Sequence, residues 1–164
     1  MPSCLVDTTF VRIKRPYYSA WEYNNSHKND HVLLYQVTMS LGEPFRILSF
    51  EGPFKGSAAD VTIFRETIKP LLLPGEMVMT DKGYWQDDRC WTPPVGNYAE
   101  FSEEMRVQRR RVTIIRHLNE RGIGRLKFWG VMSRRWAGLF SDHQRAANVV
   151  AKLTQLELYT NPLT

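Results

Sequence analysis

Cysteine is scarce in this 164-residue chain: Cys4 and Cys90 are the only two, and they show no paired metal-ligand spacing. That excludes a disulfide-rich scaffold and a thiolate zinc site, and two reduced, unpaired thiols in an intracellular protein are expected. The four histidines show no ligand spacing either. No apolar run approaches the roughly 20 residues of a membrane helix, so no membrane partner is expected. The opening Met-Pro-Ser-Cys-Leu-Val-Asp lacks the basic and hydrophobic layout of a secretion signal, so a secreted protein is not expected. Internal repeats, low-complexity tracts and linkers are also missing, and the length suits one domain with a real core.

Acidic residues are missing from one long stretch. Between Met105 and Trp136 stand ten Arg or Lys residues and a single acid, Glu120, a local charge of +9 within a chain of net +5. The remainder is therefore at −4. Cations packed this densely repel one another and favour a polyanionic partner over a merely solvated helix face. A hydrophobic fraction of 43% and an aromatic fraction of 12% fit a folded globular domain.

Leu5 to Ile13, rich in Val, Thr, Phe and Ile, reads as a strand ending at Lys14-Arg15-Pro16. His31 to Ser40 and Phe45 to Glu51 read as two more, joined by a hairpin turn at Leu41-Gly42-Glu43-Pro44. Gly56 to Asp60 opens a helix that reaches about Lys69, with Asp60 as its expected cap and Pro70 as its stop. Glu76 to Thr80 is a short apolar strand of the buried parallel kind, and Trp91 to Asn97 is irregular. Ser102, followed by Glu103 and Glu104, starts a helix running past Leu118, with Gly122 and Gly124 as weak points. Ser141 and Gln144 have capping-box spacing and predict a last helix through about Glu157. The order predicts an α/β domain: a mixed sheet with helices on its faces.

Three acids stand out. Asp7 lies in mid-strand, where an ionised carboxylate is costly to desolvate. Asp81 lies at the carboxyl end of an apolar strand, where α/β sheets place their sites. If those strands are neighbours the carboxylates converge, and a divalent cation with oxygen ligands relieves their repulsion. On a continuous helix Ile115, Leu118, Leu126 and Trp129 share one face, and Glu120 falls on roughly the opposite side beside Arg116 and Lys127. There it is either an ion-pair partner or a metal ligand set among phosphate-binding cations.

Together these residues resemble the DDE transposases of the PIF/Harbinger type and their bacterial insertion-sequence relatives. The resemblance runs through most of the chain. Val6-Asp7-Thr8-Thr9 is similar to the first-acid strand, and Tyr23 to His31 with Tyr35-Gln36 to the basic segment and its strand. Gly56 to Asp60 with Ile63-Phe64-Arg65 resembles the Gly-x-x-His-Asp motif. Thr80-Asp81-Lys82-Gly83-Tyr84, with Pro93 after it, resembles the second-acid motif, and Glu120 to Lys127 the Glu-x-x-Phe-Gly-x-x-Lys helix. The acids lie 74 and then 39 positions apart. Thr8, Ala59 and Ile123 depart from the family pattern, where Gly, His and Phe are usual, and none of these removes a metal ligand.

The resemblance implies an RNase H-like fold over a single catalytic domain, residues 1–164, with no separate N-terminal DNA-binding domain. It implies catalytic and metal-binding roles for Asp7, Asp81 and Glu120, two Mg²⁺ or Mn²⁺ ions, and in-line attack on a phosphodiester. Nuclear action (or cytoplasmic), DNA as partner and a separate DNA-binding protein follow by the same transfer, with room for a homodimer. The DNA backbone would be gripped by Arg109, Arg110, Arg111, Arg116, Arg121, Arg125 and Lys127, helped by Lys28 and His31. Two rivals stand beside this reading. One is a catalytically silent DNA-binding or scaffolding domain derived from such an enzyme. The other is a basic RNA-binding module, which needs exposed aromatics; its candidates, Tyr17, Tyr18, Trp21 and Tyr23, are expected first as packing residues.

Overall fold

The computed structural model describes residues 2–92 and 100–163. Strand β1 (Cys4–Arg12) is the strand expected from Leu5 to Ile13, and it occupies the middle of a mixed six-stranded sheet. It pairs antiparallel with β3 (Asp30–Ser40), from Cys4 opposite Ser40 to Arg12 opposite Val32. On its other side it runs parallel to β5 (Val78–Met79), with Leu5 opposite Met79. β4 (Ile47–Lys55) lies antiparallel on the outer side of β3, and β6 (Cys90–Trp91) lies parallel on β5. β2 (Asn24–Asn25) follows the short helix α1 (Ala20–Tyr23) and pairs with the start of β3. The arrangement matches the expected RNase H-like mixed sheet.

Alternation along β1 splits the core. Cys4 and Val6 pack with Phe64 and Ile68 of α2 (Asp60–Thr67), and with Val78 and Tyr84. Val11 and Ile13 face the other way, toward Leu126 of α3 (Glu103–Phe128), Met132 of the short α4 (Gly130–Ser133) and Ala147, Val150 and Leu158 of α5 (Phe140–Thr160). Leu5 meets Val112 of α3 on that same side. Asp7, spaced by two from Leu5, belongs to the α3 row. Two buried free thiols, Cys4 and Cys90, sit in the α2-side cluster as small apolar groups.

Several local expectations change. The 103–128 helix is unbroken through Gly122 and Gly124. Gly122 is where α3 rests on the sheet, because a Cβ there would lie 2.5 Å from the methyl of Met39. Its buried row is Val112, Asn119, Gly122 and Leu126, flanked by the half-buried Ile115, while Trp129 has left the helix as its C-cap. Asp60 does not cap α2: Ala59 occupies that position with extended backbone, and Asp60 is the first helical residue. Nor does Ser141 cap α5, which starts one residue earlier behind Leu139. Apolar contact of Phe140 with the core outweighs one side-chain cap there. Ser102 does cap α3, accepting from the Met105 amide at 3.3 Å.

Pro70 lies inside a 3-10 turn (Lys69–Leu71) rather than simply stopping a helix. β4 continues past Glu51 through Pro53, which an edge strand tolerates. β6 was hidden in the irregular stretch by its two-residue length; Pro93 and the 93–97 part of that stretch lie outside the described residues. Among the described residues no helix is long and apolar enough to cross a membrane.

Candidate active site

Asp7 enters the site from β1 because its strand position aims it at α3. Its Oδ1 accepts the Thr8 amide at 2.7 Å, and its Oδ2 accepts the side-chain amide of Asn119 at 2.8 Å. Burial pushes its carboxyl up to about 6, against the Thr8 hydrogen bond, and the negative charges of Asp81 and Asp60 push the same way. Asp81 follows β5, the parallel neighbour of β1. It caps the next 3-10 turn (Lys82–Tyr84), accepting the Lys82 amide at 2.6 Å, and lies 3.6 Å from Arg116 of α3. Glu120 is exposed on α3, with His117 one turn back at 3.5 Å. All three acids line one cavity of about 470 Å³.

A fourth acid lines it as well. Asp60 opens α2, whose positive N-terminal end favours a carboxylate, yet burial raises its pKa, with Asp81 adding to the shift. The Thr8 hydroxyl bonds the Tyr84 hydroxyl at 2.8 Å, and its proximity to Asp60 opposes the burial shift of that carboxyl. A Cβ on Gly83 would stand 3.4 Å from Asp60 Oδ2, in ordinary contact, so the Asp81-Lys82-Gly83 turn passes directly beside that carboxylate. Sequence reasoning assigned Asp60 to capping because Asp favours that position so strongly. The usable signal was its place in the Gly-x-x-His-Asp resemblance. Asn119 was missed too. A lone amide in the otherwise apolar row Val112, Ile115, Gly122, Leu126 was the hint, because a buried polar group needs a partner.

Cations line the same cavity. Lys28 and Lys127 line the cavity, with Nζ atoms 4.8 and 4.6 Å from the centre of the Phe10 ring, and Arg12 stands over the same ring at 5.6 Å. The Lys127 ammonium also donates to the Phe10 carbonyl. Burial, then the charges of Arg12 and Lys28, depress its pKa to about 8. Asn25 and His27 line it as well. His31 pairs with Asn24 on β3 and does not line the cavity.

The remaining arginines spread around α3. Arg125 is tied to Glu157 of α5 at 3.1 Å and is largely covered. Arg109 lies over Phe101, Arg111 borders a separate apolar hollow with Val107 and Ile115, and Arg110 and Arg121 are exposed. Successive residues diverge by about 100° on a helix, so the cationic run is not one stripe.

The sequence model of the family described as DDE superfamily endonuclease matches residues 6–156. The chain belongs to that family. Neither a curated protein nor a solved structure matches it significantly. DDE superfamily endonucleases are in general divalent-metal dependent, and a nuclease domain implies DNA as its substrate. The donors at hand suit such an ion chemically, being hard carboxylate oxygens, and burial with the charges of Asp81 and Asp60 leaves the Asp7 carboxylate disfavoured despite Arg116. As placed, no three His, Cys, Asp or Glu side chains among the described residues form a ready metal cluster. The departures from the family pattern are accommodated: Thr8 bonds Tyr84, Ala59 holds the N-cap, and Ile123 lines the cavity.

Proposed function

We propose that this domain cleaves, and by the same chemistry joins, phosphodiester bonds of DNA, with Asp7, Asp81 and Glu120 as ligands for two Mg²⁺ or Mn²⁺ ions. One observation carries the reading: acids from β1, the β5 exit and α3 line one cavity that Lys28 and Lys127 line as well. Such ions supply an activated oxygen nucleophile and charge stabilisation at the leaving oxygen. The chain's own residues do the rest. Asn119 and the Thr8 amide fix both oxygens of Asp7, so that one strand and one helix hold that carboxylate in place. Asp60 adds a fourth carboxylate to the lining. Lys28 and Lys127 place positive charge where a phosphate beside the acids would sit, and exposed Arg110 and Arg121 add non-specific backbone attraction. A separate DNA-finding protein, a homodimer and a nuclear location remain parts of this proposal, on the PIF/Harbinger resemblance.

Asp81→Asn tests it. The substitution keeps size and most hydrogen bonding but removes a ligand charge, so Mg²⁺-dependent plasmid nicking should be lost. DNA affinity should hold or rise slightly, because a charge that repels phosphate is gone. A second reading, a silent DNA-binding domain, is favoured by the Asp81–Arg116 pair, in which a cation already answers the second acid. Calorimetric Mn²⁺ binding that Asp81→Asn abolishes supports the enzyme. Wild-type protein with neither binding nor cleavage, its DNA ends and partner supplied, leaves the silent domain.

A further inference from the structure

Tyr17, Tyr18 and Trp21, expected to pack, are instead 91%, 81% and 74% exposed. Only Tyr23 of that aromatic group packs, against Phe140 of the core. Large aromatics are seldom left this bare, and three within five residues form a patch rather than scatter.

The segment that presents them is pinned at both ends. At its start, Ile13 bridges Trp136: the Lys14 amide donates to the Trp136 carbonyl at 2.7 Å, and the Trp136 amide to Arg12 at 2.8 Å. At its end, the Glu22 carbonyl accepts the Ser57 amide at 3.0 Å, the Glu22 carboxylate takes Lys55 at 2.7 Å, and Asn25 donates to the Gly56 carbonyl at 2.8 Å. A Cβ on Gly56 would lie 2.2 Å from the Tyr23 carbonyl, so the backbones there are in close contact. The aromatic rings therefore project from a fixed frame. Tyr17 and Tyr18 add an edge-to-face contact with centroids 4.8 Å apart.

Charge singles out the partner. No Asp or Glu occurs between Asp7 and Glu22, nor between Glu120 and Asp142, and the Ile13–Trp136 bridge lays these two acid-free segments side by side. Lys14, Arg15 and Arg134 are exposed on them. The acids at its margins are already answered, Asp30 by Arg135 at 2.7 Å and Arg12 at 3.3 Å, and Glu22 by Lys55 at 2.7 Å. The patch also continues into the cavity, since Asn25, His27 and Lys28, the residues just after α1, line it. Along β1 the order is acid (Asp7), cations gathered on Phe10, then the aromatic segment, with Ile13 about 20 Å from Asp7 at strand rise.

We propose that this track binds single-stranded DNA flanking the cleavage site: phosphates on Arg12, Lys28 and Lys127, unpaired bases on Tyr17, Tyr18 and Trp21. Duplex DNA offers its bases only edge-on within the grooves, so faces of this kind go unused unless the strand is unpaired. Stacking is tolerant of sequence because every base has a π-face, and a positive groove beside aromatics is the usual construction for unpaired strands. The inference rests on the proposed DNA-cutting role, and its test separates the two.

The test compares anisotropy titrations of a blunt duplex and the same duplex carrying a 2-aminopurine-labelled single-stranded flank, for wild type and Tyr17→Ala/Tyr18→Ala/Trp21→Ala. Wild type should prefer the flanked DNA by about tenfold or more, the scale of one or two stacked bases, and quench Trp21 on binding. The triple variant should lose that preference and keep its blunt-duplex affinity, melting temperature and Mg²⁺-dependent nicking of plasmid. Equal wild-type affinity for both DNAs overturns the inference, as does a variant that weakens both equally. So does a change only in oligomeric state by light scattering, which would assign the patch to a second copy. Loss of wild-type nicking with the flank preference intact would count against the catalytic reading and not against the track.

Discussion

The Asn119 amide donates to Asp7 Oδ2 at 2.8 Å, so the residue just before the third acid clamps the first. Asn119 is 5% exposed, and its own Oδ1 has no hydrogen-bond partner. The contact therefore joins α3 to β1 beside the acid-lined cavity, which Glu120 lines one residue on. Asn119→Ala should lower stability by about 1–2 kcal/mol, the scale for a hydrogen bond to a charged group and a small void. It should also loosen Asp7 and weaken Mn²⁺ affinity in calorimetry. Asn119→Asp sets two carboxylates together and should unfold more readily at pH 8 than at pH 5. Unchanged melting curves for both variants would remove the clamp from the account.

Mn²⁺ should raise the melting temperature of wild type, because an ion that binds only the folded state stabilises it. At a hundredfold excess over the dissociation constant the gain is about 2.7 kcal/mol. Asp60→Asn should reduce that shift if Asp60 belongs to the acidic lining, and leave it unaltered if Asp60 serves only the start of α2. Differential scanning calorimetry with and without Mn²⁺ reads both.

Lys127 is held near pKa 8 in the folded chain against 10.5 as a free side chain. Its charge is costly to the fold below about pH 8, and the cost disappears as pH rises toward 10.5, where the unfolded chain releases the same proton. Lys127→Met should therefore raise the melting temperature by a few degrees at pH 7 and by progressively less above pH 8. The same variant should bind DNA more weakly and show a shallower salt dependence, by roughly 0.9 log unit for one lost phosphate. A variant that destabilises at pH 7 would show that the Phe10 carbonyl contact outweighs the buried charge.

The arginines of α3 should separate by neighbourhood. Arg125→Ala breaks the Glu157 pair and should cost about 0.5–1 kcal/mol with no change in salt slope. Replacing Arg109, Arg110 and Arg111 together should flatten the slope by about one or two phosphate contacts rather than three, roughly 0.9 log unit each, since the three diverge around the helix. Filter-binding titrations between 50 and 200 mM salt would test this. A full three-contact loss would mean that DNA wraps the helix.

Much of the fold was legible in residue order. The Val-, Thr-, Phe- and Ile-rich run Leu5 to Ile13, the apolar Glu76 to Thr80 and the run after Ser102 were readable as a strand, a buried strand of the parallel kind and a long helix, because those patterns depend on local geometry. The three acids could be singled out for a related reason: each is a carboxylate where its element's pattern calls for an apolar residue or a cation. What failed were caps and faces. Asp60 and Ser141 had the right chemistry for N-caps, but which residue starts a helix depends on what the next turn packs against. The core face of α3 was misplaced toward Trp129, because Asn119 and Gly122 are buried for their partners, Asp7 and Met39, and not for hydrophobicity.

The sequence by itself determined the elements, the three acids and the excess of positive charge, all readable within a few residues of chain. Only the tertiary structure decided which charges meet. Asp60 joins Asp7, Asp81 and Glu120 at one cavity, Lys28 and Lys127 gather on Phe10 in the same lining, and Arg125 is spent on Glu157. It also turned Tyr17, Tyr18 and Trp21 outward. Those outcomes depend on pairings such as Leu5 with Met79 and Ile13 with Trp136, between segments more than seventy residues apart. Electrostatic and packing energies act between neighbours in space, so long-range strand pairing had to set them.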